Sequence, residues 1–223
     1  MWFRMLHNER SGEMSYLLAD ADAGEAVLVD PHGCDLAVWR AVLTERGLRL
    51  RWVLRTHHHG PAQGGEIAML QGLGAPVVQG AATVSASAPV VMHAVADGEL
   101  LPFGDELVRV LKTPGHTPAC LSFVWRDRVF CGGLLAVDAC PSQPFPADAA
   151  ALWDSVSQRI FTMPDETLLF AGHEHRARAV STVLEQRRWH PLLAGLSRDE
   201  FLERAARLLP SWQHQPCDES FAL

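Results

Sequence analysis

Three predicted strands of this chain run directly into loops that carry histidine, and this feature restricts its fold more than any other. The loops are THHH at 56–59, TPGHT at 113–117 and AGHEH at 171–175, and each follows a short apolar run. Loops at strand ends are where a rigid scaffold can present several ligands to one point. Because imidazole nitrogen suits zinc and iron, the three loops predict a metal site at a common edge of the strands.

Spacing within the first loop selects two of its histidines. Residues i and i+2 of an extended segment point the same way, so His57 and His59 can bind one ion while His58 points elsewhere. The second loop offers His116 and the third offers His173. A lone loop histidine is usually a polar surface group, and the histidines without this context are expected at the surface: His7, His93, His190 and His214.

The remaining pattern predicts one domain of mixed strands and helices, spanning residues 1–223 with a helical tail from about residue 196. The segments Met14–Asp20 and Glu25–Pro31 are predicted as adjacent strands joined by a turn. Helical periodicity covers Asp35–Gly47, with Asp at the N-cap and Gly after its end. A further helix is predicted over Ala177–Trp189.

Composition argues against some partners and compartments. The formal net charge is -7, and without a basic face neither nucleic acid nor an anionic membrane is an expected partner. The five cysteines are odd in number and form no CxxC pair, which is typical of free thiols in a reducing compartment. No run of 18 apolar residues and no apolar signal-peptide core occurs in the sequence, so the expected location is cytoplasmic.

The order THHH, LKTPGHTPAC and a strand ending in AGH resembles the metallo-β-lactamase superfamily. The segments TPGHTPACLSFV, LWDSVSQRIFTMPDETLLFAGHEH and AVSTVLEQRRWHP resemble the persulfide dioxygenase branch, close to the glyoxalase II group, and so does the tail LSRDEFLERAARLLP. The resemblance implies an α/β fold, the αββα sandwich, in which two mixed β-sheets are flanked by helices. It also implies a metal site at one edge of the sandwich.

The chain departs from the superfamily motif THxHxDH after its second histidine. Pro61 stands at the Asp position and Ala62 at the next His position, while Gly133 stands where the family has a metal-binding Asp. These losses leave too few ligands for a second metal.

The branch that the chain resembles binds one iron through two His and one Asp, a set that leaves positions open for substrate and O2. The resemblance places His57, His116 and Gly133 at these positions. His59 can replace the missing carboxylate, so we predict one iron or zinc ion held by His57, His59 and His116. Asp138 is a weaker candidate for the same role.

The resemblance also suggests which residues surround the substrate. Cys140 matches a pocket cysteine of the branch, and Ser142 stands where the branch has an arginine that seats an anionic thiol substrate. Cys140 is equally well explained as a small buried side chain. His173 and His175 are predicted to act near the substrate, with His175 replacing a pocket tyrosine. Asp30 matches the aspartate that orients the histidine loop.

Three functions are compatible with this sequence. The first is a mononuclear metalloenzyme of the persulfide dioxygenase type, acting on a small thiol or persulfide. The second is a catalytically degenerate binding or regulatory protein on the same fold. The third is a mononuclear zinc hydrolase of thioesters, since one zinc ion lowers the pKa of bound water to about 7. We expect a small-molecule thiol or thioester as the substrate, whereas the degenerate protein could bind a thiol, a metabolite or a protein partner. A homodimer is compatible with the family.

Overall fold

Two mixed β-sheets face each other in the computed structural model, which describes residues 1–59, 64–80, 92–135, 140, 145–175 and 178–212. Within those ranges each sheet has six strands. The strands of the first sheet lie in chain order: β1 (Trp2–His7), β2 (Met14–Asp20), β3 (Glu25–Val29), β4 (Arg49–Leu54), β5 (Val77–Val78) and β6 (Met92–His93). The first two pairings are antiparallel and the remaining three are parallel. The predicted hairpin of β2 and β3 is confirmed, whereas β1 was not predicted.

The second sheet also follows chain order, from one edge to the other. Its strands are β7 (Leu100–Phe103), β8 (Glu106–Lys112), β9 (Leu121–Trp125), β10 (Arg128–Gly132), β11 (Leu168–His175) and β12 (Arg178–Thr182). β10 and β11 pair in parallel and the other neighbours are antiparallel. Arg126, at the tip of the β9–β10 hairpin, has a φ of 55°.

Helices cover the outer faces of both sheets. They are α1 (Leu36–Glu45), α2 (Gly64–Gln71), α3 (Ala149–Ser155), α4 (Val183–Trp189) and α5 (Arg198–Trp212). A π-helical segment, Val156–Ile160, follows α3 directly. Asp35 occupies the N-cap position of α1 as predicted, but its side chain makes no capping hydrogen bond and accepts one from the Ser15 hydroxyl at 3.3 Å. None of the helices in the described ranges has the length and apolar character needed to cross a bilayer.

The predicted helix over Ala177–Trp189 is wrong in its first part. Residues Arg178–Thr182 form β12, which pairs with β11. The edge of the second sheet supplies hydrogen-bond partners that outweigh a local helical pattern. The helix begins only after Thr182, whose hydroxyl accepts a hydrogen bond from the amide of Glu185.

Alternation of side chains along the strands builds a core on each side of both sheets. Between the sheets lies an aromatic cluster of Tyr16, Phe123, Trp125, Phe130 and Phe170. On the opposite face of β10, residues Val129 and Cys131 pack against α3 and α5, while Leu17 and Leu28 of the first sheet pack against Trp39 of α1. Full burial of one large apolar side chain contributes about 1.5–3 kcal/mol. This layering is the expected αββα sandwich, and the α/β fold class is confirmed.

Candidate metal centre

Several strands end at the same edge of the sandwich, and their loops bring four histidine rings together. His57 and His59 follow β4, His116 follows β8, and His173 lies near the end of β11. The ring centroid of His57 is 5.0 Å from that of His59, 4.9 Å from that of His116 and 5.5 Å from that of His173. The amide of Leu121 donates to the carbonyl of Thr56 at 2.7 Å and joins the two sheets beside this cluster. The three histidine segments converge as expected, but residues 171–175 form the end of β11 and are not the loop that the sequence predicted.

His57 is oriented by a short chain of hydrogen bonds. The Thr56 amide and hydroxyl each donate to Asp30 at 2.7 Å, and the Thr56 hydroxyl oxygen lies 2.8 Å from His57 Nδ1. A hydroxyl has one proton, and here it is donated to the Asp30 carboxylate. His57 Nδ1 must therefore carry a proton and donate to Thr56, which leaves the Nε2 lone pair of His57 available to a metal. These contacts support the orienting role of Asp30, which stays a prediction.

Backbone geometry makes this contact chain possible. Asp30 has a φ of 47°, an uncommon value for a non-glycine residue. Burial raises the pKa of the Asp30 carboxyl, and the hydrogen bonds from Thr56 act in the opposite direction. Gly132 has a φ of 55°, and a Cβ at this position would lie 2.2 Å from the Thr56 hydroxyl oxygen. The site therefore requires glycine at 132.

His173 faces His57 across a distance that suits a shared ion. Their Nε2 atoms are 3.4 Å apart, and two nitrogens bound to a tetrahedral zinc at about 2.0–2.1 Å would be about 3.3–3.4 Å apart. The Nδ1 atom of His173 is buried without a hydrogen-bond partner among the described residues. Burial lowers the pKa of His173 to about 4 and that of His57 well below its usual value. Both rings are therefore neutral near pH 7, as metal ligands must be.

Cys140 lies among these histidines, although the sequence only predicted it to line the substrate pocket. Its Sγ atom is 3.1 Å from His59 Nε2, and its side chain is buried. One donor atom from each of His57, His59, Cys140 and His173 lies within 4.8 Å of all the others. These four residues can hold a metal ion. Sequence patterns could not predict this contact, because Cys140 and His59 are 81 positions apart.

His116 lies beside this group of four donor atoms and does not belong to it. Its Nδ1 is 3.9 Å from the sulfur of Cys120. A Cβ at Gly133 would lie 2.3 Å from both Cε1 and Nδ1 of His116, so the ring occupies space beside the position where the family has its aspartate. The three-histidine set of His57, His59 and His116 stays a prediction.

Other predicted site residues fall beyond the part of the chain that the structure describes. Pro61, Ala62, Asp138 and Ser142 lie outside the described residues. His175 is the last residue of β11, but its side chain also lies outside them.

The expectation that His190 lies at the surface is wrong. His190 is buried, its Nε2 donates to the carbonyl of Leu135 at 2.9 Å, and its Nδ1 accepts from the amide of Leu192. This histidine fixes the chain after α4 and takes no part in the candidate centre.

A cavity of about 190 Å³ opens onto the histidines. Its wall includes Glu13, His32 and Arg55 in addition to His57 and His173. Glu13 and His32 approach each other to 3.5 Å, and Glu13 and Arg55 give the wall groups of opposite charge. Pockets for drug-sized ligands measure about 300–1,000 Å³, and this cavity therefore suits a smaller molecule.

Comparison with known proteins places this geometry in a family. No family model matches the chain. The mitochondrial persulfide dioxygenase ETHE1 of Homo sapiens is 33% identical over 203 residues, which cover 90% of this chain and 78% of that protein. A hydroxyacylglutathione hydrolase of Methylococcus capsulatus is 35% identical over 162 residues, covering 72% of this chain and 61% of that protein. Because the human relative is mitochondrial, the cytoplasmic location of this chain stays a prediction.

A solved structure agrees with these relatives. The crystal structure of ETHE1 from Myxococcus xanthus has a TM-score of 0.79 and 33% identity, and the match covers 97% of this chain and 92% of that one. The identity and coverage of the human relative exceed what a shared fold alone would produce. The chain therefore belongs to the metallo-β-lactamase superfamily, in the branch of the persulfide dioxygenases and glyoxalase II-like proteins.

Proposed function

We propose that this protein is an enzyme that binds one metal ion in its histidine cluster and oxidises the sulfur of a small thiol or persulfide. The observation that carries the proposal is the opposed pair of neutral imidazoles, His57 and His173, whose Nε2 atoms are 3.4 Å apart. A buried pair of lone pairs at this distance is unfavourable unless a proton or a cation lies between them. Iron bound here would supply positions where a thiolate and dioxygen meet.

The charge of the centre favours an anionic sulfur ligand. Gly133 replaces the aspartate that the family uses, so the metal-bound histidines carry one more unit of positive charge than the family's site. Arg55 lines the same cavity and contributes to the lowered pKa of His57. A thiolate or persulfide anion is stabilised by this potential, particularly where water is excluded.

The residues around the centre hold it in a fixed geometry. Asp30 and Thr56 keep the Nε2 lone pair of His57 directed at the ion, and the cavity admits a small molecule beside it. In this proposal His173 acts as a ligand, because its facing nitrogen is directed at His57. His175 then remains the residue proposed to act near the substrate.

Thioester hydrolysis is the second candidate, and the hydroxyacylglutathione hydrolase relative favours it. A single zinc ion would supply hydroxide at neutral pH. The chain has no carboxylate at Pro61 or Gly133 to orient that nucleophile, so we rank hydrolysis second.

One experiment separates the two reactions. The protein is loaded with Fe(II) or with Zn(II), and each form is given a small persulfide or a thioester. Oxygen uptake that requires the persulfide and the iron form, and that His57→Ala abolishes, is the expected result. Thioester cleavage by the zinc form without oxygen uptake would establish the hydrolase instead. If both loaded forms bind metal and neither reacts, the protein is not an enzyme of either kind.

A further inference from the structure

We infer that the thiolate of Cys140 is a metal ligand in this protein and supplies the negative charge that Gly133 cannot. The inference rests on the proposed metal centre and names its ligand set: His57, His59, Cys140 and His173. Those are the residues whose donor atoms lie within 4.8 Å of one another.

The position of Cys140 supports direct coordination. Its sulfur lies 3.1 Å from His59 Nε2 and the side chain is 1% exposed. A tetrahedral ion with a sulfur at about 2.3 Å and a nitrogen at about 2.0–2.1 Å would separate the two donors by about 3.6 Å. The Cys140 sulfur and His59 Nε2 would therefore have to move apart by about half an ångström to bind one ion. The Nε2 atoms of His57 and His173 already have the required spacing.

Other acidic groups at the cavity are committed to neighbours. Both carboxylate oxygens of Asp30 accept hydrogen bonds from Thr56. Glu13 accepts from the hydroxyl of Ser11 and lies beside His32. Among the described residues, Cys140 is the acidic group that belongs to the cluster of mutually close donors. Metal binding deprotonates a coordinating thiol outright, so Cys140 can lower the charge of the bound centre by one.

This assignment changes the expected metal. A histidine–aspartate set suits iron, whereas thiolate with imidazole suits zinc and similar ions. The replacement of Asp by Gly at 133, together with the position of Cys140, therefore raises the affinity for zinc relative to iron, and the sulfur oxidation proposed above requires the iron-loaded protein. Four protein donors would also fill a tetrahedral ion, so a thiol substrate would have to displace one of them.

Cobalt(II) is the probe for this ligand set, because thiolate coordination produces a charge-transfer band in the near ultraviolet that imidazole does not. The reduced, metal-free protein is titrated with Co(II) without oxygen. We expect stoichiometric binding with a strong thiolate band. Cys140→Ala should lose the band and bind Co(II) at least about 10-fold more weakly, whereas Cys120→Ala should keep it. Cys120 is the matched control, since it is also buried and its sulfur is 3.9 Å from His116.

X-ray absorption of the unmutated zinc form avoids any folding defect of a variant. One sulfur neighbour at about 2.3 Å, retained in Cys120→Ala, is expected. Zinc with only nitrogen and oxygen neighbours, or a cobalt band that persists in Cys140→Ala, would overturn the inference while leaving the proposed metal enzyme intact. A chain that binds neither ion would overturn both. His116→Ala should retain the band. Loss of the band in that variant would show that His116 is a ligand and would overturn the set of four ligands inferred above.

Discussion

Replacing Thr56 with valine removes one hydroxyl from the centre of the site while keeping the shape of the side chain. Thr56 is 1% exposed, and its hydroxyl donates to the Asp30 carboxylate at 2.7 Å and accepts from His57 Nδ1 at 2.8 Å. Among the described residues, the backbone amide of residue 56 is the donor that the carboxylate keeps in Thr56→Val. His57 is then free to rotate or to place its proton on Nε2, where it would block metal binding.

The magnitude follows from the two lost contacts. A hydrogen bond to a charged group contributes about 1.5–3 kcal/mol, and a buried donor left unpaired costs about 1–3 kcal/mol. The two contacts share one atom and do not add fully, and the buried methyl of valine returns about 0.8 kcal/mol. We expect the free energy of unfolding of the metal-free protein to fall by about 3 kcal/mol. For a chain of this length the Tm then falls by roughly 6–12 °C.

Metal affinity should fall as well, by about 10–100-fold, as is typical when the partner of a metal-binding histidine is removed. Urea unfolding gives the stability and competition with a chelator gives the affinity. Thr56→Ser keeps the hydroxyl and should recover most of both. Ser122→Ala removes another buried hydroxyl, which lies 2.8 Å from that of Thr113, and should lower stability without changing affinity. If Thr56→Val matches the parent protein in affinity, the orientation of His57 by Thr56 is refuted.

Three further predictions concern single groups. Gly133→Asp places a Cβ 2.3 Å from two ring atoms of His116. The free energy of unfolding of the metal-free variant, measured in urea, should therefore fall by about 1–3 kcal/mol. If the new carboxylate binds the ion, added metal should restore stability to Gly133→Asp and not to Gly133→Ala. Tyr16→Phe removes the hydroxyl that donates to the carbonyl of Ala171 on the other sheet and should cost about 1–2 kcal/mol, and an unchanged Tm would refute this link. Burial raises the pKa of the Cys131 thiol from 9.0 to about 12. Because the thiol then loses its proton at lower pH in the unfolded chain than in the folded one, the free energy of unfolding should fall as the pH rises from about 9 toward 12. Urea unfolding at several alkaline pH values should show a weaker fall in Cys131→Ala, and an identical pH dependence would contradict the assignment.

Local sequence patterns and the family resemblance were sufficient to predict the fold class and the histidine segments. Periodicity and turn residues located most strands and helices because those patterns depend on neighbouring residues. His57 and His116 follow strands and His173 lies near the end of β11. Parallel pairing of β3 with β4 and of β10 with β11 directs the ends of these strands to one edge. The absence of a carboxylate at Pro61 and at Gly133 was also recognised without a structure, by comparison with the family motif.

The contacts among the remaining groups depend on tertiary packing and could not be predicted from local patterns. The hydrogen bonds from Thr56 to Asp30 connect positions 26 apart, and the contact of Cys140 with His59 connects positions 81 apart. The burial of His190 and the strand Arg178–Thr182 were decided in the same way, by neighbours that come from elsewhere in the chain. Such contacts depend on how two sheets pack across a shared core, and local sequence patterns carry no information about that packing.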